Sequence, residues 1–206
     1  MVKISLQIRA TLECIEKLYT SHPHYQWFLK LKCSSCGEVT EKFHDLTEAD
    51  KVPQKHNRSE TNLLIKCKLC SRENNIDVIE GSNGAFTSND VGKYKSIVTF
   101  DCRGIEPVDF EPKSGWIAEA EDDGKKFEDV DLTEKEWVDY DEKNRTSVGI
   151  YELEWQFIKV NAVLVGPQQG GQTTSNESLE ASGPGPWILE LSTKDLCPAV
   201  DFNRLK

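Results

Sequence analysis

The sequence predicts a mainly β fold, a sandwich or barrel-like arrangement of two related β-rich halves. Three observations predict it. Apolar and polar residues alternate over short segments, as at Ile4, Leu6 and Ile8, which is the period of a half-buried strand. No segment carries the apolar spacing of a long amphipathic helix. Turn-forming stretches such as Gly81-Ser82-Asn83-Gly84 separate the alternating segments.

The first strand carries Ile4, Leu6 and Ile8, and its register shifts before Leu12, Cys14 and Leu18. Trp27-Phe28-Leu29-Lys30-Leu31-Lys32 reads as a second strand that runs into Cys33. Between residues 40 and 60 the pattern loosens. Leu46-Thr47-Glu48-Ala49-Asp50 is expected to form a helical turn before a polar loop with Pro53 and Asn57. Leu63-Leu64-Ile65 leads into Cys67, and Ile76-Asp77-Val78-Ile79 follows Cys70. Ile97-Val98-Thr99-Phe100, Trp116-Ile117-Ala118 and the run 148–157 complete the strand-like set, rich in β-branched and aromatic residues.

The halves echo one another. Leu12-Glu13-Cys14 is similar to Phe100-Asp101-Cys102, Trp27-Phe28-Leu29 to Trp116-Ile117-Ala118, and Phe43-His44-Asp45-Leu46 to Phe127-Glu128-Asp129-Val130. In this alignment Cys33 and Cys36 face Asp122-Asp123-Gly124, so the second half reads as a metal-free copy of the first; chance similarity explains the echo equally well. Residues 1–160 are thus expected to form one β domain, with a duplication over 1–90 and 91–160. Residues 161–206 are rich in Gly, Pro, Ser and Gln and are expected to be a disordered C-terminal extension, with Trp187-Ile188-Leu189-Glu190-Leu191 a stray apolar patch or a docking segment.

The opening residues lack the apolar core of a signal peptide, and no stretch approaches the roughly 18 apolar residues needed to cross a bilayer. A cytoplasmic protein is expected, with the nucleus as a second compartment and no membrane partner. The net charge of −10 is concentrated in residues 91–160, and no cluster of Lys or Arg offsets it. Such a chain is repelled by phosphate backbones, so no nucleic-acid partner is expected.

In a reducing compartment, paired cysteines more often bind metal than form disulfides. Of seven cysteines, four form two pairs, Cys33 with Cys36 and Cys67 with Cys70. Two residues between cysteines make the short loop that aims both sulfurs at one ion, and Gly37 can take the positive φ that folds such a loop back. Two loops complete a tetrahedron. Thiolate sulfur in a closed shell favours zinc, so one Zn2+ per chain is expected on Cys33, Cys36, Cys67 and Cys70. Four thiolates around a divalent ion leave about −2 of charge, and Lys32, Lys66, Lys68 and Arg72 are placed to offset it.

Four sulfurs leave no open position for catalysis, and the chain holds no GxSxG, HExxH, P-loop or GxGxxG. His22, His24, His44 and His56 have no ligand spacing with the pairs, and Cys14 and Cys102 read as small core residues. The acidic segments 119–123 and 137–143 read as solvated faces, with a basic partner or a cation as the alternative.

Residues 1 to about 160 resemble a known family. The resemblance rests on Lys32-Cys33 to Cys36-Gly37-Glu38, on Lys66-Cys67-Lys68-Leu69-Cys70 with Arg72-Glu73-Asn74, on the run 102–110, and on Asp139-Tyr140-Asp141-Glu142-Lys143 with Ser147-Val148-Gly149-Ile150-Tyr151. These look like the CXXC motif containing zinc binding proteins, also described as UPF0587 or DUF866. The resemblance implies two related β halves, a zinc on the four cysteines and no known catalytic activity. The expected function is a monomeric, non-catalytic zinc protein that binds another protein; the alternative is a metal-handling or thiol-redox protein using the CxxC pairs.

Overall fold

The computed structural model describes residues 1–54 and 59–160; the expected disordered extension and Cys197 lie outside them. The chain forms β1 (Val2–Glu13), β2 (Ile15–Thr20), β3 (Trp27–Cys33), β4 (His44–Leu46), β5 (Val52–Pro53), β6 (Glu60–Thr61), β7 (Leu63–Lys66) and β8 (Glu73–Val78). It continues through β9 (Phe86–Thr87), a short 3-10 turn, β10 (Lys95–Arg103), β11 (Ile105–Glu111), β12 (Trp116–Ala120), β13 (Lys126–Val130), β14 (Trp137–Asp141) and β15 (Thr146–Val160). The mainly β expectation holds, and the strands the sequence marked are all present.

Six strands form one sheet in the order β14-β15-β1-β10-β8-β7, curled as a half-barrel. The order is symmetric about the antiparallel β1 and β10 pair, in which Ile4 faces Phe100 and Leu6 faces Val98. β10, β8 and β7 of one side match β1, β15 and β14 of the other. Two smaller sheets repeat the relation with strands exchanged between the halves: β11-β3-β4 in one, and β13-β12-β2-β9 in the other. β3 therefore pairs with β11 of the second half, and β12 pairs with β2 of the first. Two of the three echoed segments follow this register, since Trp27 faces Leu46 as Trp116 faces Val130. The third does not, because Cys14, between β1 and β2, stands where Gly104 stands between β10 and β11, not where Cys102 does.

The alternation drives the packing. Ile4, Leu6, Ile8 and Ala10 are all buried, as are Ile97, Val98, Phe100 and Cys102. Gln7 and Arg9 between them are half-exposed, whereas Ser5 is buried and donates its hydroxyl to Val98 O at 3.1 Å. A bulge in the β1 and β10 pairing lets the neighbours Ile97 and Val98 both be buried. Trp27 sits at the centre, against Tyr25 at a ring distance of 4.6 Å, Phe110 at 5.8 Å and Phe100 at 6.0 Å. It joins the halves, because Phe100 and Phe110 belong to the second and Trp27 to the first. Cys102 is a core residue as expected; Cys14 is half-buried beside the core, at positive φ between β1 and β2.

The sequence erred at 46–50. Leu46 ends β4, and no helical turn follows. Instead the Thr47 hydroxyl donates to Asp50 Oδ2 at 2.7 Å and accepts from the Asp50 amide at 3.1 Å. This local side-chain bonding satisfies the backbone that a helix would otherwise have used.

Candidate metal centre

β3 delivers Cys33 at its last residue, and the chain turns at once. The Cys33 amide donates to Glu38 O at 2.8 Å and the Gly37 amide to Cys33 O at 2.9 Å. The second loop is built alike: the Cys67 amide donates to Arg72 O at 2.9 Å and the Ser71 amide to Cys67 O at 3.0 Å. The fifth position of each loop needs positive φ, +80° at Gly37 and 59° at Ser71. Glycine meets that need at no steric cost, whereas Ser71 is held there by its bond to Cys67 O.

The two loops bring the four sulfurs together, all within 4.8 Å of one another. Cys33 Sγ lies 3.8 Å from Cys70 Sγ, and Cys36 Sγ lies 3.5 Å from Cys67 Sγ. A zinc–sulfur bond of about 2.3 Å places tetrahedral sulfurs about 3.8 Å apart, a spacing that these two pairs approach. Cys33 is buried, Cys67 half-buried, and Cys36 and Cys70 are exposed. No histidine or carboxylate joins this group among the described residues.

The local amides favour thiolate. Backbone N–H groups of Cys36 and Ser35 push the Cys33 thiol down to about 6. Those of Cys70 and then Leu69 outweigh burial at Cys67, lowering it as well. Cys36 moves the other way, to about 12: its Glu38 amide favours thiolate, but burial and the hydrogen bonds to Cys67, Cys70 and Cys33 win. Without a cation the cluster can thus ionise only in part, and a divalent ion supplies the charge that lets the remaining protons leave. Asn74, not singled out from the sequence as a site residue, adds its Nδ2 donor to Cys33 Sγ at 3.9 Å and also donates to Arg72 O at 3.3 Å.

Of the histidines, His44 lies near the centre without entering it, and burial lowers its pKa. His22 pairs with Glu48 at 2.8 Å, His24 is exposed, and His56 lies outside the described residues. Lys66 and Lys68 line a cleft of about 300 Å³ beside the loops, walled by Leu31, Ile65 and Ile105.

The sequence profile of the eukaryotic CXXC motif containing zinc binding proteins matches residues 5–158. The chain belongs to this family. It is 53% identical over 161 residues to UPF0587 protein CG4646 of Drosophila melanogaster, covering 78% of this chain and 99% of that one. It is 45% identical over 159 residues to the human CXXC motif containing zinc binding protein, covering 77% of this chain and 99% of the relative. Among solved structures, C1orf123 superposes with a TM-score of 0.73 at 44% identity, covering 77% of this chain and 99% of that one. A hypothetical protein from Plasmodium falciparum superposes at 0.70 with 26% identity, covering 77% of this chain and 100% of that one. As a member of the CXXC zinc binding family, the chain carries the cysteine cluster that the family's name describes.

Proposed function

We propose that Cys33, Cys36, Cys67 and Cys70 hold one structural Zn2+ per chain, and that the protein is a monomeric, non-catalytic intracellular module that binds another protein. The clustering of the four sulfurs carries the first part, since all lie within 4.8 Å of one another and two of the separations, 3.8 Å and 3.5 Å, are near the edge of a zinc tetrahedron. A shell of four thiolates offers no open position to a substrate, which supports a structural role over a catalytic one. Cysteines committed to metal suit a reducing compartment, the cytoplasm and with it the nucleus.

The cleft beside the loops supports the binding role. Val39, 43% exposed, stands in its lining, an apolar group at the surface where a partner would cover it. Affinity purification of the full chain, with mass spectrometry of what it retains, tests this. A partner lost on Val39→Asp and kept by the parent supports it; identical retention by both overturns it.

The second reading, metal exchange or thiol redox, is favoured by the exposure of Cys36 and Cys70. A moderate chelator separates the two. A structural site keeps its zinc or unfolds as it yields it, whereas an exchanging site gives zinc up with the fold unchanged.

A further inference from the structure

The acidic segments 119–123 and 137–143, which the metal chemistry leaves unused, meet in the second half. After β12 the chain turns through 120–125 with the same two bonds that close 33–38: the Ala120 amide donates to Lys125 O at 2.8 Å and the Gly124 amide to Ala120 O at 3.2 Å. Gly124 has φ +67°, in the place of Gly37. The Glu121 amide donates to Cys14 O at 3.1 Å, as the Ser34 amide donates to Gly104 O at 3.0 Å. Facing this turn, the hairpin of β14 and β15 passes through 141–146 with Asp141 opposite Thr146, and Arg145 takes φ 54° in the place of Ser71. Ala120, Asp123, Asp141 and Asn144 therefore stand at the positions of Cys33, Cys36, Cys67 and Cys70.

What joins the two turns is charge. Lys125, from the first turn, donates to Asp141 Oδ1 at 3.2 Å, and Lys143, from the second, donates to Asp123 Oδ2 at 2.9 Å. Asn144 Nδ2 donates to Asp141 Oδ2 at 2.9 Å, and the Lys143 amide to Asp141 Oδ1 at 3.1 Å. The Asp141 side chain is 1% exposed, so its partners, not water, stabilise its charge. Two lysines against two aspartates leave no net charge for a cation to neutralise, unlike four thiolates.

We propose that the second half carries a metal-free clasp on the scaffold of a four-thiolate site: crossed pairs Lys125–Asp141 and Lys143–Asp123 hold the turn ends that zinc holds in the first half, and the scaffold accepts zinc once thiolates stand at its four ligand positions. The first half is then locked by a removable ion and the second by side chains alone. The inference is independent of the partner-binding role.

Two experiments on the full chain test it. The variant Ala120→Cys/Asp123→Cys/Asp141→Cys/Asn144→Cys, refolded with zinc, is expected to bind one equivalent more than the parent, with four sulfurs per zinc by edge absorption. A variant that folds without the extra equivalent, or stays unfolded in zinc, overturns the latent site. A cycle of Lys125→Met, Asp141→Asn and the double variant, read by amide exchange over 141–146, tests the clasp without metal. Lys125→Met is expected to speed exchange about tenfold, and adding Asp141→Asn to restore most of the protection by removing the stranded charge. No effect of Lys125→Met, or simple addition of the two losses, overturns the clasp.

Discussion

Gly104 packs its Cα directly onto the side-chain amide of Asn74, the residue whose Nδ2 donates to Cys33 Sγ. Gly104 belongs to the second half and Asn74 to the first, and the backbone carbonyl of Gly104 also accepts from the Ser34 amide. One glycine therefore braces the first cysteine loop from across the molecule.

Gly104→Ala is expected to destabilise the protein by about 1–3 kcal/mol, from a left-handed backbone at φ +74° and from displacing Asn74. It should also loosen the metal, because a displaced Asn74 no longer donates to Cys33. Thermal melts in zinc and a chelator competition on the same samples measure both effects. A lower Tm with unchanged zinc retention would separate the strain from the brace.

Trp27→Ala is expected to cost about 3–5 kcal/mol, the range for truncating a buried aromatic side chain. Trp27 is 1% exposed and its ring meets Phe100 and Phe110 across the boundary between the halves. The loss should be shared by both halves, with amide protection falling together in β3 and in β10. Protection lost in β3 alone would show that the halves do not share one core.

The sequence picked out the four cysteines that the fold clusters, and most of the strands, because cysteine spacing and period-two burial are local properties. It also aligned Trp27 with Trp116 and Leu46 with Val130 as equivalents, and the fold pairs Trp27 with Leu46 as it pairs Trp116 with Val130. The exchange of β2 and β11 between the halves was not legible: alternation states which face is buried, not which strand lies alongside. β11 escaped notice because Pro107 and the register shift beside Asp109 break its pattern. Asn74 carries no spacing that marks a sulfur donor, and its role follows only from where β8 begins.

Acid should act on the second half through Asp141 and Asp123. Burial works against the Asp141 charge, but Lys125, the Lys143 amide and Asn144 outweigh it and hold its pKa below the ordinary carboxylate range. Lys143 chiefly lowers Asp123. A carboxyl depressed in the folded state contributes stability that is complete above its unfolded pKa and is lost as pH falls toward the folded value. Protection over 141–146 is therefore expected to be flat at neutral pH and to decline below about 4. Asp141→Asn should flatten that decline; an unchanged acid profile would mean that other carboxyls carry it.

Removing the zinc, or changing Cys67→Ser, should open the protein from one side. Structural zinc contributes on the order of 10–16 kcal/mol of apparent binding free energy at neutral pH, comparable with the whole stability of a domain. β7 is an edge strand held by β8 on one side, and the second cysteine loop joins these two strands. β4 is likewise an edge strand, held by β3. These elements have the least to hold them once the sulfurs part. β1, β10 and β15 lie inside the six-stranded sheet, where β1 is paired along most of its length on both sides. Amide exchange is thus expected to lose protection first over 63–78 and 44–46, then in the C-terminal part of β3, and last in β1 and β10. The turn regions 120–125 and 141–146 should keep theirs under chelator, since their cross-links are side chains. Simultaneous loss throughout the chain would show that the zinc supports the whole fold as one cooperative unit, and unchanged protection over 63–78 would make the ion incidental to the fold and favour the exchange reading.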